Sequence, residues 1–129
     1  MGTIERFEEI EAWKEARELT RLIYVVTGNG PFARDYGLRD QMQRAATSIM
    51  ANIAEGFDGG SAHEFQRSLH YALRSTTEVQ SHLYVALDQR YIDQGQFESL
   101  YAHSAKVKNL IAGFLRYLRA SSHPPTLKP

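Results

Sequence analysis

The residues of this chain whose types and spacing could support chemistry form a polar stripe on one predicted helix, between Leu38 and Gly56. At about 100° per residue, five polar side chains share one face of that helix, beside its apolar face. These residues, the polar stripe, are Gln41, Arg44, Ser48, Asn52 and Glu55. Serine and asparagine are mediocre helix formers, and a face that meets only water has no need of them. The polar stripe therefore predicts a contact with a second helix or a second subunit.

Asn52 and Glu55 admit two interpretations. In the structural one, which we favour, Asn52 bonds across a helix bundle and Glu55 accepts from Arg44, Trp13 or helix N-terminal amides, so that both are buried and paired. In the functional one, a small-ligand or enzymatic site is formed by Arg44, Ser48, Asn52 and Glu55, which requires an open pocket. No feature of the sequence selects a substrate for such a site.

The sequence offers little support for metal or nucleophilic chemistry. A di-iron carboxylate bundle needs Glu-x-x-His on two helices, and no glutamate here is followed three residues later by histidine. Glu78 and His82 have the i, i+4 spacing of a side-chain hydrogen bond. Ser48 and Ser75 lack a histidine and an acid at recognisable spacing. We therefore expect no catalytic residue, no cofactor and no metal, and a protein that is not an enzyme.

Composition restricts the partners of the chain. The 129 residues suffice for one helical core, and no cysteine is present for a disulfide or thiol site. Fifteen acidic and fifteen basic residues give zero formal net charge, which argues against a strongly electrostatic nucleic-acid binder. Cations are nevertheless concentrated near the C-terminus, where the candidate nucleic-acid contacts are Lys106, Lys108, Arg116 and Arg119. A solvated helix end whose cations suit the helix dipole is the simpler explanation of these four residues.

The polar stripe lies on the second of the four predicted helices. The first runs from about Glu8 to Thr27 and is stopped by the Gly-Asn-Gly-Pro sequence that follows. The second runs from Tyr36 or Gly37 to about Gly56.

The last two predicted helices have clear N-terminal caps. Ser61 and Glu64 form a capping box that opens the third helix, which is predicted to end near Arg90 and Tyr91. Its apolar stripe is flanked every seven residues by a seam that lets a neighbouring helix approach closely. The seam consists of Ser68, Ser75 and His82. Asp93 can cap the fourth helix.

Four helices joined by short turns predict an all-α protein, an antiparallel up-down-up-down four-helix bundle. We expect this single domain over residues 1–120 and a disordered tail over residues 121–129. No apolar run is long enough to span a bilayer and no signal pattern is present, which predicts a cytoplasmic protein without a membrane partner.

Several tyrosines lie outside the apolar stripes that fill the bundle core, and they predict a homo-oligomer. Tyrosine is favoured at interfaces because it supplies apolar area together with one polar tip. The tyrosines that remain to be placed are Tyr24, Tyr71, Tyr84, Tyr91, Tyr101 and Tyr117.

A set of residues spread over roughly residues 5–118 matches a known family, and its most specific part is Ala-Asn-Ile-Ala-Glu-Gly at 51–56. The other matching residues are Phe7, Ala12, Trp13, Lys14, Ala16, Tyr36, Gly37, Leu38, Gln41, Arg44, Ala45, Ala46, Ser48, Ile49, Ser61, Glu64, Phe65, Leu69, Ala72, Ser75 and Glu78. In these positions the chain resembles the four-helix-bundle proteins related to those encoded in 23S ribosomal RNA intervening sequences.

The resemblance implies a cytosolic antiparallel bundle that assembles into a homo-oligomer, with a pentamer favoured. A related branch, the accessory protein of diversity-generating retroelements, is a barrel-like pentamer that works beside a reverse transcriptase and binds nucleic acid. No catalytic residue can be carried over from the family. We therefore predict a non-enzymatic oligomeric scaffold associated with RNA or a nucleic-acid enzyme, with the small-ligand site as the alternative.

Three departures from the family pattern modify this prediction. Met50 stands where a proline is usual, which predicts a straighter second helix. Asp58 and Gly59 replace a glycine and a basic residue, and Arg74 stands where glycine is frequent. The lost cation and the zero net charge weaken a nucleic-acid role inherited from the retroelement branch.

Overall fold

A computed structural model describes residues 3–120 as four long helices. They are α1 (Glu11–Thr27), α2 (Tyr36–Asp58), α3 (Ala62–Asp88) and α4 (Gln94–Ala120). No β-strand occurs in the described range, so the all-α prediction is confirmed. The predicted tail, residues 121–129, lies outside the described residues.

Each helix runs antiparallel to the next. Thr20 Oγ1 donates to the carbonyl of Ala46 (3.2 Å), and Gln43 Nε2 donates to Thr27 Oγ1 (3.0 Å), so that α1 and α2 point in opposite directions. The same reversal appears in Ser48–Ser75 and Phe57–Phe65 between α2 and α3, and in Gln80–Lys108 and Phe65–Phe114 between α3 and α4. Because α4 also packs on α1, the four helices close into the predicted bundle.

Ser61 and Asp93 cap α3 and α4 as predicted. Ser61 Oγ accepts a hydrogen bond from the backbone N–H of Glu64 at 3.1 Å, which is one of the two bonds of the predicted capping box. Asp93 Oδ1 accepts from the N–H of Gln96 at 2.7 Å, and Gln96 Oε1 accepts from the N–H of Asp93 at 2.9 Å. These bonds satisfy backbone donors that the first turn of a helix leaves free.

Helix ends depart from the prediction where the chain packs irregularly. The first helix begins at Glu11 rather than near Glu8, because Ile10 is extended and buries its side chain in the core behind a 3-10 turn. The second continues to Asp58. The third ends at Asp88, and Arg90 then adopts the left-handed region with a φ of 61°.

The connection between α1 and α2 is a docked 3-10 turn (Gly30–Arg34) rather than a simple stop. Phe32 in this turn is fully buried and stacks on Tyr91, with ring centroids 4.9 Å apart. Tyr91 also donates its hydroxyl to Asp35 Oδ2 at 2.9 Å, while Asp35 Oδ1 caps α2 at Leu38. These contacts join both connections at one end of the bundle.

The core contains the predicted apolar stripes. Along α3 the fully buried residues are Phe65, Leu69, Ala72, Thr76, Val79, Leu83 and Ala86. None of the helices in residues 3–120 combines the length and hydrophobicity that crossing a membrane requires.

Candidate functional site

The inner residues of the polar stripe form a hydrogen-bonded connection between α2 and α3. Asn52 Nδ2 donates to the carbonyl of Ser48 (2.9 Å) and to Ser48 Oγ (3.1 Å). Ser75 Oγ donates to Ser48 Oγ at 3.1 Å across the helix contact. Ser48 and Asn52 are half-buried and Ser75 is buried. Only the Ser48–Ser75 bond crosses between the helices. Asn52 bonds to its own helix one turn earlier, so the expectation that Asn52 bonds across the bundle is wrong.

The outer residues of the polar stripe face solvent. Arg44 and Glu55 are exposed, and neither side chain forms an ion pair or hydrogen bond with another residue of 3–120. The expectation that Glu55 is buried and paired is therefore wrong for this chain alone. At about 100° per residue, Glu55 lies about 60° from Asn52 around the axis of α2, on the side away from α3. One edge of the polar stripe therefore packs against α3, and the other edge is exposed to solvent.

Metal-binding groups do not converge. Within residues 3–120 no three His, Asp or Glu side chains are arranged to hold a metal ion. Glu78 and His82 form the side-chain contact that their spacing predicts, with Oε2 and Nε2 3.4 Å apart.

The four predicted nucleic-acid contacts do not form one patch. Lys106 Nζ lies 3.3 Å from Glu15 Oε2 on α1, whereas Lys108 Nζ donates to Gln80 Oε1 on α3 at 2.9 Å. Residues two apart lie about 160° apart around a helix, so these lysines extend to opposite sides of α4. Arg116 and Arg119 are exposed. Arg119 joins the α3 side, because its Nη2 lies 2.8 Å from Nε2 of His70.

An exposed basic stripe on α3 was not among the predicted sites. Its residues are spaced i, i+4, i+7 and i+11 and fall within about 60° of the helix surface. These residues, the basic stripe, are His63, Arg67, His70 and Arg74, and all four are exposed. The helical spacing of these four residues is visible in the sequence. The zero net charge of the chain and the nearby Glu64 and Glu78 argued against a basic surface there.

The basic stripe borders two shallow grooves. The first has a volume of about 400 Å³ and is lined by all four members together with Gln66 and Tyr71. The second, of about 480 Å³, lies between α3 and α4 and includes His70, Arg74 and Lys108. Both grooves are lined by His70 and Arg74, so they adjoin at these two residues.

Three groups within residues 3–120 have a shifted pKa, and all three lie away from the polar stripe and the basic stripe. The hydrogen bond to the Asp35 carboxylate raises the pKa of Tyr91, because ionising the phenol would remove the shared proton. On the exposed face of α1, the hydrogen bond from Arg21 to Glu18 lowers the pKa of Glu18 and raises the pKa of Arg21.

Comparison with known proteins gives a consistent assignment. Residues 8–113 match the family model of the 23S rRNA-intervening sequence proteins. A crystal structure of a protein of unknown function from the S23 ribosomal protein family of Bacteroides thetaiotaomicron VPI-5482 is 24% identical, with a TM-score of 0.74. The alignment covers 81% of this chain and 95% of that one, and it shows the shared fold. None of the curated proteins compared with the chain matches it. The match over most of its length shows that the chain belongs to the 23S rRNA-intervening sequence protein family.

Proposed function

We propose that this chain is a non-enzymatic, cytoplasmic, homo-oligomeric scaffold that associates with RNA or with a nucleic-acid enzyme. The observation that carries the proposal is a group of exposed large apolar side chains at one end of the bundle. Between 42% and 62% of each side chain is exposed. This group, the apolar end, consists of Tyr24, Val25, Tyr36, Tyr84 and Val85.

The apolar end has the composition of a protein interface. Each of its residues exposes apolar surface to water, and tyrosine is enriched where subunits meet. The Phe32–Tyr91 stack holds both connections at this end, so that the surface is presented by packed structure.

The arrangement supports a ring. α1 packs on α2 and α4, which places α3 diagonally opposite α1. Tyr24 and Val25 on α1 therefore lie on a different side of the bundle from Tyr84 and Val85 on α3. A closed ring needs two different patches, each of which contacts the other patch on a neighbouring copy. A pentamer is the ring we favour.

The alternative small-ligand site has less support. Asn52 bonds to Ser48, and Ser48 bonds to Ser75 of α3, so polar atoms at the centre of that site are already used in hydrogen bonds within the bundle.

The RNA part of the proposal is supported by an uneven distribution of charge. Residues 65–77 and 99–120 contain no aspartate or glutamate. The basic stripe and Lys108, Arg116 and Arg119 lie in these segments or at their edge, in the half of the bundle away from the apolar end. Cations that are not neutralised by acids of their own segment remain able to attract phosphates.

Light scattering tests the oligomer directly. We expect the wild-type protein to have about five times the chain mass at micromolar concentration, and a monomer would refute the scaffold. Val25→Glu and Val85→Glu should each shift the mass towards the monomer without unfolding it, since these side chains are exposed. Gln89→Glu is the matched control, because it adds the same charge near the same end without removing apolar surface. If both valine variants keep the wild-type mass, the apolar end is not the interface.

A further inference from the structure

The basic stripe has the length and charge of a surface that follows a phosphate backbone. From His63 to Arg74 it extends roughly 16 Å along α3, at 1.5 Å per residue. Arg67 and Arg74 form no ion pair with any residue of 3–120, so both guanidinium groups can bind an anion. The stripe ends at Glu78, one turn beyond Arg74, where the carboxylate contacts His82.

Contacts from α4 widen this surface. A guanidinium group has only donors, so the 2.8 Å contact makes Arg119 Nη2 the donor and His70 Nε2 the acceptor. The proton of the neutral His70 ring then lies on Nδ1, which can donate to a ligand. Lys108 of α4 lines the second groove, beside His70 and Arg74.

Tyr71 provides a ring beside these cations. It is 43% exposed, and the guanidinium carbon of Arg67 lies 5.8 Å from the centroid of its ring. Exposed aromatic rings beside arginine are the groups on which unpaired bases stack, whereas a duplex keeps its bases inside.

We propose that the basic stripe, Tyr71 and Arg119 bind single-stranded nucleic acid, with the phosphates on the cations and a base on Tyr71. This inference rests on the RNA part of the proposed function and names the surface and the form of nucleic acid. A backbone-binding role also explains how a chain with zero net charge could bind RNA, since residues 65–77, which contain most of the basic stripe, include no acidic residue.

The test is fluorescence anisotropy with a labelled single-stranded RNA of roughly 12 nucleotides. Titrations between about 50 mM and 200 mM salt give the dependence of log K on log salt. Arg67→Gln/Arg74→Gln should reduce that slope by about 1.4, which corresponds to two phosphate contacts on a single strand. Arg17→Gln/Arg34→Gln is the matched control, because it removes two exposed arginines from α1 and the α1–α2 connection. It should leave the slope unchanged.

Tyr71 separates nucleic-acid binding from general anion binding. Tyr71→Ala should raise the Kd for RNA about fivefold or more, while Tyr71→Phe should retain wild-type affinity because the ring is kept. Equal affinity for duplex RNA, inorganic polyphosphate or phosphatidylserine vesicles would overturn the proposal, as would an unchanged Kd in Tyr71→Ala. Comparing the Kd for single-stranded DNA of the same length with the Kd for RNA shows whether this surface distinguishes deoxyribose from ribose.

Light scattering on the same samples distinguishes the possible failures. RNA binding that is retained by the Arg67/Arg74 variant refutes this surface and leaves the proposed function intact. Wild-type protein that is oligomeric but does not bind RNA refutes the RNA part together with this surface, while the scaffold stands.

Discussion

Gly56 on α2 lies directly against Ser68 on α3. A Cβ atom built on Gly56 would be 2.5 Å from the Cβ of Ser68 and 3.1 Å from Cδ1 of Phe65. Atoms at such distances overlap, so the missing side chain at Gly56 sets how closely the two helices approach. The small-residue seam predicted on α3 thus meets a glycine on α2.

Gly56→Ala should destabilise the protein. The overlap with a side-chain atom fixed to the α3 backbone should cost about 1–3 kcal/mol, and the better helix propensity of alanine offsets about 1 kcal/mol of this. Urea denaturation at fixed protein concentration measures the net loss. Adding Ser68→Gly should give a favourable coupling in a double-mutant cycle, and additive effects would contradict the contact.

Gly113→Ala is the matched control for Gly56→Ala. Gly113 lies in α4, and the nearest atom to an added Cβ is Nη2 of Arg116, at 3.7 Å. With space available, only helix propensity changes, and the variant should be more stable by about 0.5–1 kcal/mol.

Asn52→Ala and Glu55→Ala should behave differently. Asn52 loses two hydrogen bonds to Ser48 in a half-buried contact, and we expect a loss of about 1 kcal/mol. Glu55 is exposed, and its truncation should change the free energy of unfolding by less than about 0.5 kcal/mol. Chemical denaturation at one protein concentration compares the two variants. A large loss in Glu55→Ala would mean that another subunit covers this carboxylate.

Tyr91 should make stability depend on pH in the alkaline range. Its pKa in the folded protein is raised by the hydrogen bond to Asp35, so folding favours the protonated phenol. That stabilisation is complete below the unfolded pKa of about 10 and is lost as the pH rises through the higher folded value. The Tm difference between wild type and Tyr91→Phe should therefore shrink from pH 8 to about pH 11. A difference that stays constant with pH would contradict the contribution of this hydrogen bond.

Lys106 and Lys108 should contribute differently to RNA binding. Lys106 contacts Glu15 on the α1 side of α4, whereas Lys108 lines the groove shared with the basic stripe. Lys108→Glu should therefore weaken RNA binding and lower its salt dependence, while Lys106→Glu changes neither by more than about twofold. Anisotropy titrations of the two single variants decide this, and equal losses would favour the C-terminal cluster predicted from sequence.

The local features of the fold could be predicted from sequence because each lies within one helix or one turn. Ser61 and Asp93 cap α3 and α4 as predicted, since a cap depends on residues three apart. The apolar stripes also follow from spacing alone. The docked turn around Phe32 was not predicted, because its partner Tyr91 lies 59 positions farther along the chain.

The sequence by itself determined the four helices, their buried faces and the family, because hydrogen-bonded caps and a 3.6-residue period are local properties. Only the tertiary structure decided that Asn52 is half-buried while Glu55 is exposed to solvent. It also decided that Lys106 contacts α1 while Lys108 contacts α3. It also brought Arg119 of α4 to His70 of α3, beside a basic stripe that composition had hidden. These outcomes depend on how each helix is rotated about its own axis and which helix lies opposite, and both are set by packing between distant segments.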